Sequence, residues 1–180
     1  MIGQIELIRP AELNDLEPIM KVIRSVCQEM QREGNNQWDE NYPQAADFIK
    51  DIGQKELYVS QINGLVSGFI CINDYEPEEY ARIHWSCNQK LMVLHRMAVA
   101  PDFRNQGIGA MLLRFAEQLA QKSGVHYLRT DTNSLNVKMN GLFRKLGFTF
   151  VGQMEAFGKE VPFNFYDKVL ASSSANKSEL

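Results

Sequence analysis

The stretch from Leu91 to Lys122 constrains this chain most. An apolar strand, Leu91 to Val99, runs into a short turn at Ala100-Pro101-Asp102, and Arg104-Asn105-Gln106-Gly107-Ile108-Gly109 then opens a long helix. Ile108, Met111, Leu112, Phe115 and Leu119 recur at the spacing of one helical face, with Arg114, Glu117, Gln118, Gln121 and Lys122 on the other, and Ser123-Gly124 is the stop. A glycine-rich turn feeding a helix N-terminus offers unpaired backbone N–H groups and the positive end of the helix dipole, a place for a phosphate or pyrophosphate. Gly107 and Gly109 let a ligand approach the backbone, and Arg104 can add a charge-assisted bond. The plainer alternative is a strand-turn-helix corner with glycine chosen for the turn.

Two phosphate-binding patterns fail. The dinucleotide fingerprint needs a third glycine where this chain has Leu112, and a P-loop needs Gly-Lys-Ser/Thr where it has Gly109-Ala110-Met111.

The segment resembles the acetyl-CoA motif of the GNAT acyltransferase superfamily: Gln or Arg, two residues, Gly, one residue, then Gly or Ala, met here by Arg104, Gly107 and Gly109 after a strand ending Met97-Ala98-Val99. A second element resembles the family's helix beside the cofactor arm, carried by Asn136, Met139, Leu142-Phe143, Lys145 and Gly147-Phe148. The two come in the family's order and spacing, and the resemblance covers roughly residues 5 to 170. It implies an α/β fold with a mixed central sheet, splayed open at the cofactor site by a bulge in the central strand and flanked by helices on both faces. By the same resemblance, the backbone of Met97, Ala98 and Val99 would orient the thioester of acetyl-CoA. The amides from Arg104 through Asn105, Gln106, Gly107, Ile108 and Gly109 to Ala110 would hold the pyrophosphate, and Asn136, Met139 and Phe143 would flank the arm. Asn136 can equally be a residue at a helix N-terminus bonding its own backbone.

The totals fit one domain over residues 1–170: 180 residues at 44% apolar composition are enough for a sizeable core. Nineteen basic against 22 acidic residues give a net charge of -3, so neither nucleic acid nor a membrane is expected as a partner. No apolar run is long enough for a bilayer, and Glu6 follows Met1 too closely for a signal-peptide layout, so a cytoplasmic protein is expected. A homodimer is left open. Cys27, Cys71 and Cys87, widely spaced and odd in number, indicate neither disulfides nor zinc, and with three histidines no metal site is expected. Residues 171–180 read as a disordered tail.

In chain order the patterns predict a strand at Ile5–Arg9, helices at Leu13–Met30 and Ala45–Ile52, and strands at Leu57–Ile62 and Leu65–Ile72 joined by an Asn63-Gly64 hairpin turn. Further strands are expected at 125–131, 148–154 and 163–170, with the second motif helix running up to Leu146. Alternation of strands and helices with a closing hairpin argues α/β architecture independently of the resemblance. The polar loop Gln37 to Pro43 holds Trp38 and Tyr42, which either line a ligand site or plug the loop base. The acidic segment Asn73 to Tyr80, with Tyr75, is either a solvated loop or a lip gathering cationic amines.

Acetylation of an amine needs a base, because an ammonium of pKa near ~10.4 is neutral only about once in a few thousand at pH 7, a deficit of roughly 4 to 5 kcal/mol. His95 is the candidate: it interrupts an apolar strand and is read as sharing a face with Val93, Met97 and Val99, one repeat from the thioester. A buried structural histidine is the alternative. Arg96 reads as structural, needing an acid partner such as Asp131. Many family members carry a general-acid tyrosine where this chain has Phe143; the thiolate then leaves unaided, or a hydroxyl such as that of Tyr166 serves, though Tyr166 reads as packing. The resulting expectation is an N-acetyltransferase moving acetyl from acetyl-CoA to a primary amine of a small molecule by direct attack in a ternary complex. A deep pocket roofed by Trp38, Tyr42 and Tyr75 would favour small amines and an open groove peptides. The competing readings are a peptide acetyltransferase and a CoA-binding domain without turnover.

Overall fold

A computed structural model describes residues 5 to 171, so nearly all of the expected tail, 172–180, lies outside the described residues. Ala171 is held, its carbonyl accepting a bond from Gln121 Nε2 at 3.0 Å.

Seven strands form one sheet: β1 (Ile5–Pro10), β2 (Leu57–Ile62), β3 (Leu65–Asn73), β4 (Met92–Val99), β5 (Tyr127–Asn133), β6 (Thr149–Met154) and β7 (Phe163–Val169). Their order is β1-β2-β3-β4-β5-β7-β6, with β4 and β5 parallel and every other pair antiparallel. The hairpin between β2 and β3 turns where expected, with φ of 52° at Asn63 and 74° at Gly64, the left-handed pair a two-residue turn requires.

Helices α1 (Leu16–Arg32) and α2 (Ala45–Gly53) cover one face, α3 (Ile108–Lys122) and α4 (Val137–Lys145) the other. Ile19, Val22, Ile23 and Val26 of α1 and Phe48 of α2 pack on Val59, Phe69, Cys71 and Ala98. Across the sheet, Ile108, Leu112, Leu113 and Ala116 of α3 meet Ile70, Ile72, Leu94 and Leu128, joined by Phe143 of α4 and Tyr166. Full burial of one such aliphatic side chain contributes about 1.5–3 kcal/mol. Among the described residues no helix is long and apolar enough to cross a membrane.

The 18-residue connection from β3 to β4 is not merely a solvated loop. Tyr80 is buried in a 3-10 turn at Glu78–Arg82, and its ring meets Trp85 and Phe165. Buried Asp167 accepts bonds from the Ser86 amide, the Ser86 hydroxyl and the Tyr127 hydroxyl, pinning the segment to β5 and β7. Its acids divide: Asp74, Glu76 and Glu78 are exposed, whereas Glu79 is half-buried and accepts from the Phe157 amide.

Candidate active site

Strands β4 and β5 pair only through Met92–Leu128, Val93–Arg129 and Leu94–Thr130, then separate, although both run on for several residues. The cause is local. Arg96 sits at φ 38°, and the register against β3 slips between Phe69–Ala98 and Cys71–His95, so β4 carries an extra residue. The resulting bulge bends β4 away from its neighbour. Thr130 Oγ1 donates to the Leu94 carbonyl at 3.0 Å as the last link, and beyond it Gln37 Oε1 accepts from Thr132 Oγ1 and the Asn133 amide, satisfying groups that β4 no longer reaches.

A cavity of about 510 Å³ opens off this split. Trp38, Tyr42, Tyr75, His95, Met97, Asn136, Met139 and Phe143, all singled out from the sequence, line it together. Trp38 serves both readings offered for it, being buried against the α1–α2 core while facing the cavity. The Tyr42 hydroxyl accepts from Arg96 Nη1 at 3.0 Å, and Tyr75 lies with its ring centroid 6.3 Å from that of His95.

The bulge corrects the expected placement of His95. Its register partner is Cys71, whose side chain packs on the α1–α2 face, whereas Met97 and Val99 pack on the α3 face. The inserted residue between them reverses the alternation, so His95 shares a face with Val93 but not with Met97 or Val99. His95 Nε2 lies 3.1 Å from the Tyr75 carbonyl, which can only accept, so the proton is on Nε2 and Nδ1 carries the lone pair. Burial, reinforced by the Arg96 charge, pushes its pKa down to about 4, which keeps the imidazole neutral at physiological pH.

Arg96 is structural, but its acid is Asp51 rather than Asp131: Nε and Nη2 form a two-pronged pair with the α2 carboxylate at 2.8 and 2.7 Å. Asp131 instead accepts from the Tyr80 hydroxyl at 2.8 Å and lines the cavity. Burial pushes its pKa up to about 6; the Tyr80 bond opposes the rise and neighbouring Glu79 adds to it. Nothing in the local pattern marks Asp131 except that an acid stands in the middle of a strand, between Thr130 and Thr132.

The anion cradle lies at the start of α3. Gly107 is the N-cap residue at φ 80° and Asn105 precedes it at 60°. Among the described residues, no hydrogen bond takes up the amides of Asn105, Gln106, Gly107, Ile108, Gly109 or Ala110, and a Cβ at Gly107 would meet nothing within 4 Å. The Arg104 guanidinium, expected to supply charge to an anion, is engaged by Glu29 of α1. Gly109 has a packing reason as well: a Cβ there would lie 3.0 Å from Leu142 Cδ2 and 3.5 Å from Met97 Cε, so α3 and α4 close in on the base of the split. Ala98 turns the other way, into the α1–α2 core.

Asn136 caps α4, its side-chain oxygen accepting from the Met139 amide at 3.2 Å, which is the backbone-bonding alternative; its side-chain nitrogen Nδ2 has no partner among the described residues. Phe143 is buried between Phe148 and Tyr166, with ring centroids 5.3 Å away in each case. The Tyr166 hydroxyl donates to Asn140 Oδ1 at 2.7 Å, deep in the core, so Tyr166 packs rather than facing the cavity.

A split parallel pair, a row of free amides at a helix start and a cavity beyond them thus lie together. Residues 23–148 match the model of the Acetyltransferase (GNAT) family. The chain belongs to that family. An L-methionine sulfoximine/L-methionine sulfone acetyltransferase of Pseudomonas aeruginosa is 32% identical over 108 residues, covering 60% of this chain and 58% of that enzyme. A GNAT acetyltransferase structure from Streptococcus agalactiae superposes with a TM-score of 0.80 at 25% identity, covering 94% and 99% of the two chains. The structure of yncA, a putative acetyltransferase from Salmonella typhimurium with its cofactor acetyl-CoA, gives 0.70 at 20% identity over 96% and 98%. The GNAT chain is an acetyl-CoA-dependent N-acetyltransferase. The free amides at 105–110 and the gap beside Met97 fit that cofactor, which supplies an activated acetyl thioester.

Proposed function

We propose that this N-acetyltransferase modifies the primary amine of a small molecule, by direct attack within a ternary complex. The observation that carries the reading is the cavity: about 510 Å³, walled by Trp38, Tyr42, Tyr75 and Phe157, is the size of a small-ligand pocket and continues from the split between β4 and β5. A peptide acceptor would want a groove. The Pseudomonas relative, whose name specifies small amino-acid analogues as acceptors, supports the same side.

In this reading the amides of Asn105 to Ala110 hold the pyrophosphate with the help of the α3 dipole, while Arg104 contributes its backbone and braces the turn through Glu29. Backbone groups of Met97 and Val99, freed by the bulge, orient the acetyl donor, and the Asn136 amide with Met139 and Phe143 flanks it. His95 fixes the Tyr75 carbonyl and so positions the aromatic roof. Loss of a thiolate near pKa ~8.5 needs little assistance, consistent with Phe143 in place of an acid.

Thiol release from acetyl-CoA, measured against a panel of small amines and a panel of lysine peptides, tests the assignment. Turnover of small amines at least tenfold above any peptide is expected. Efficient turnover confined to peptides would overturn it.

A further inference from the structure

Two carboxylates in the cavity wall have no cation of their own. Arg96 spends its guanidinium on Asp51 and Tyr42, Lys159 bridges Asp39 at 2.6 Å, and Arg129 pairs with Glu76. By contrast, Asp131 takes one bond, from the Tyr80 hydroxyl to Oδ1, and Glu79 one, from the Phe157 amide at 3.3 Å. Asp131 Oδ2 has no hydrogen-bond partner among the described residues, and both acids line the cavity. An unpaired charge held among aromatic walls is costly unless a counter-ion enters.

We propose that Asp131, with Glu79 beside it, binds the ammonium group of the substrate and accepts the proton that must leave before attack, so that the substrate is a cationic amine with no carboxylate next to its nitrogen. This rests on the small-amine reading above and adds to it a named acceptor and a charge class, the latter unlike the amino-acid acceptors named for the Pseudomonas relative, which supports only the small size of the substrate. Position supports it: Asp131 stands on β5 beyond the last β4–β5 pair, across the split from the bulge at Arg96 and Met97. No unpaired cation among the described cavity residues is left to hold a substrate carboxylate.

The ammonium gives one proton to Asp131 Oδ2, and the freed nitrogen lone pair forms the N–C bond to the thioester carbonyl as the C–S bond breaks. The second nitrogen proton goes to the departing sulfur, leaving amide and thiol, and Asp131 returns its proton to solvent. In the protein without substrate, burial brings Asp131 up to about 6, nearer to an ammonium than an ordinary carboxylate is; burial also disfavours the bound ammonium, while the two carboxylates favour it and pull the Asp131 pKa back down. His95, its pKa pushed down to about 4 and its Nε2 proton committed to Tyr75, is the weaker acceptor.

The groups around Asp131 give the test its signs. Tyr80 and Glu79 approach from the 3-10 turn, Tyr42 from the loop before α2, His95 and Arg96 from β4 and Lys159 from the β6–β7 connection; β7 sets uncharged Phe165 opposite it. Tyr80→Phe removes a bond that favours the ionised form, and Glu79→Gln removes a repulsion that disfavours it.

With phenethylamine, kcat/KM should rise through a limb near pH 6, which Tyr80→Phe moves up and Glu79→Gln moves down. Asp131→Asn should abolish that limb and lower kcat/KM at pH 7 at least a hundredfold. Phenylalanine, which adds only the carboxylate, should react at least tenfold more slowly. Independently of turnover, the Asp131 carboxyl followed by ¹³C NMR in the protein without acetyl-CoA should titrate near 6 and shift downward as phenethylamine is added. An active enzyme whose profile is unmoved by the three substitutions overturns the proposal, as does equal use of phenylalanine or a carboxyl indifferent to the amine. Absence of thiol release with every small amine would instead strike the small-amine reading, while the NMR titration would still report on Asp131.

Discussion

Asp131 is an acid whose folded environment raises its pKa from 3.8 to about 6, chiefly by burial. Such a group holds its proton more tightly folded than unfolded, so it contributes nothing below about pH 4 and costs stability progressively as pH climbs through about 6. Two pH units correspond to a penalty of up to about 3 kcal/mol at pH 7. Asp131→Asn keeps an oxygen for the Tyr80 hydroxyl and removes the charge, so it should stabilise the protein at pH 7 by about 1–3 kcal/mol, with the gain vanishing towards pH 4. Urea denaturation of both proteins at the two pH values measures it; equal stability at pH 7 would show that the buried charge carries no penalty. A residue that destabilises its own fold is the signature of a site. Trp38, Tyr42 and Tyr75 were legible because each stands out in its loop, and Met97 through the resemblance, but Asp131 acquires its meaning from Tyr80, 51 positions away, and from a strand pair that opens. The same non-locality hid Asp51 as the partner of Arg96, and one inserted residue in β4 was enough to move His95 to the other face.

At the scale of elements, the start of α3 was legible because its signals are local: glycine at a left-handed N-cap, apolar residues at helical spacing, and a terminating Ser-Gly. What the spacing could not tell is that its two glycines do different work. Gly107 is open to solvent at φ 80°, whereas Gly109 is crowded by Leu142 and Met97. Gly107→Glu therefore sets a carboxylate among the amides meant for the pyrophosphate, with a left-handed strain of about 1 kcal/mol for the fold. Its acetyl-CoA affinity should fall at least a hundredfold by calorimetry while the melting temperature drops only a few degrees. Gly109→Ala should show the reverse weighting: its Cβ would lie 3.0 Å from Leu142 Cδ2, so the Leu142 side chain must give by a few tenths of an ångström, and with the helix propensity gained the net loss of stability should be at most about 1–2 kcal/mol. If both substitutions weakened binding and stability in the same proportion, the cradle would have no role separable from the helix packing.

The whole molecule is a sheet in two parts, β1 to β4 and β5 to β7, held edge to edge by only three residue pairs and clasped by the core that α3 lays over both. The strands are legible in the alternation of residues, but the parting was legible only through the family resemblance, since alternation says which face a residue takes and nothing about where neighbouring backbones separate. Beyond the three pairs, His95 is paired on one side only, with β3, and Asp131 to Asn133 on one side only, with β7, and on the side of the split the Asn133 amide bonds Gln37 instead of a strand. Local opening there needs fewer bonds to break than in β2 or β3, so the amides of these residues should exchange with deuterium faster in the protein alone. Filling the split with acetyl-CoA supplies partners to that backbone and ties the two parts together. Acetyl-CoA at a hundred times its Kd should stabilise the fold by about 2.7 kcal/mol. Protection should grow most at 95–99, 105–110 and 131–133, with little change in β1 and β2. Uniform protection across all seven strands would mean that the ligand merely stabilises the global fold, and that the gap between β4 and β5 is not where it sits.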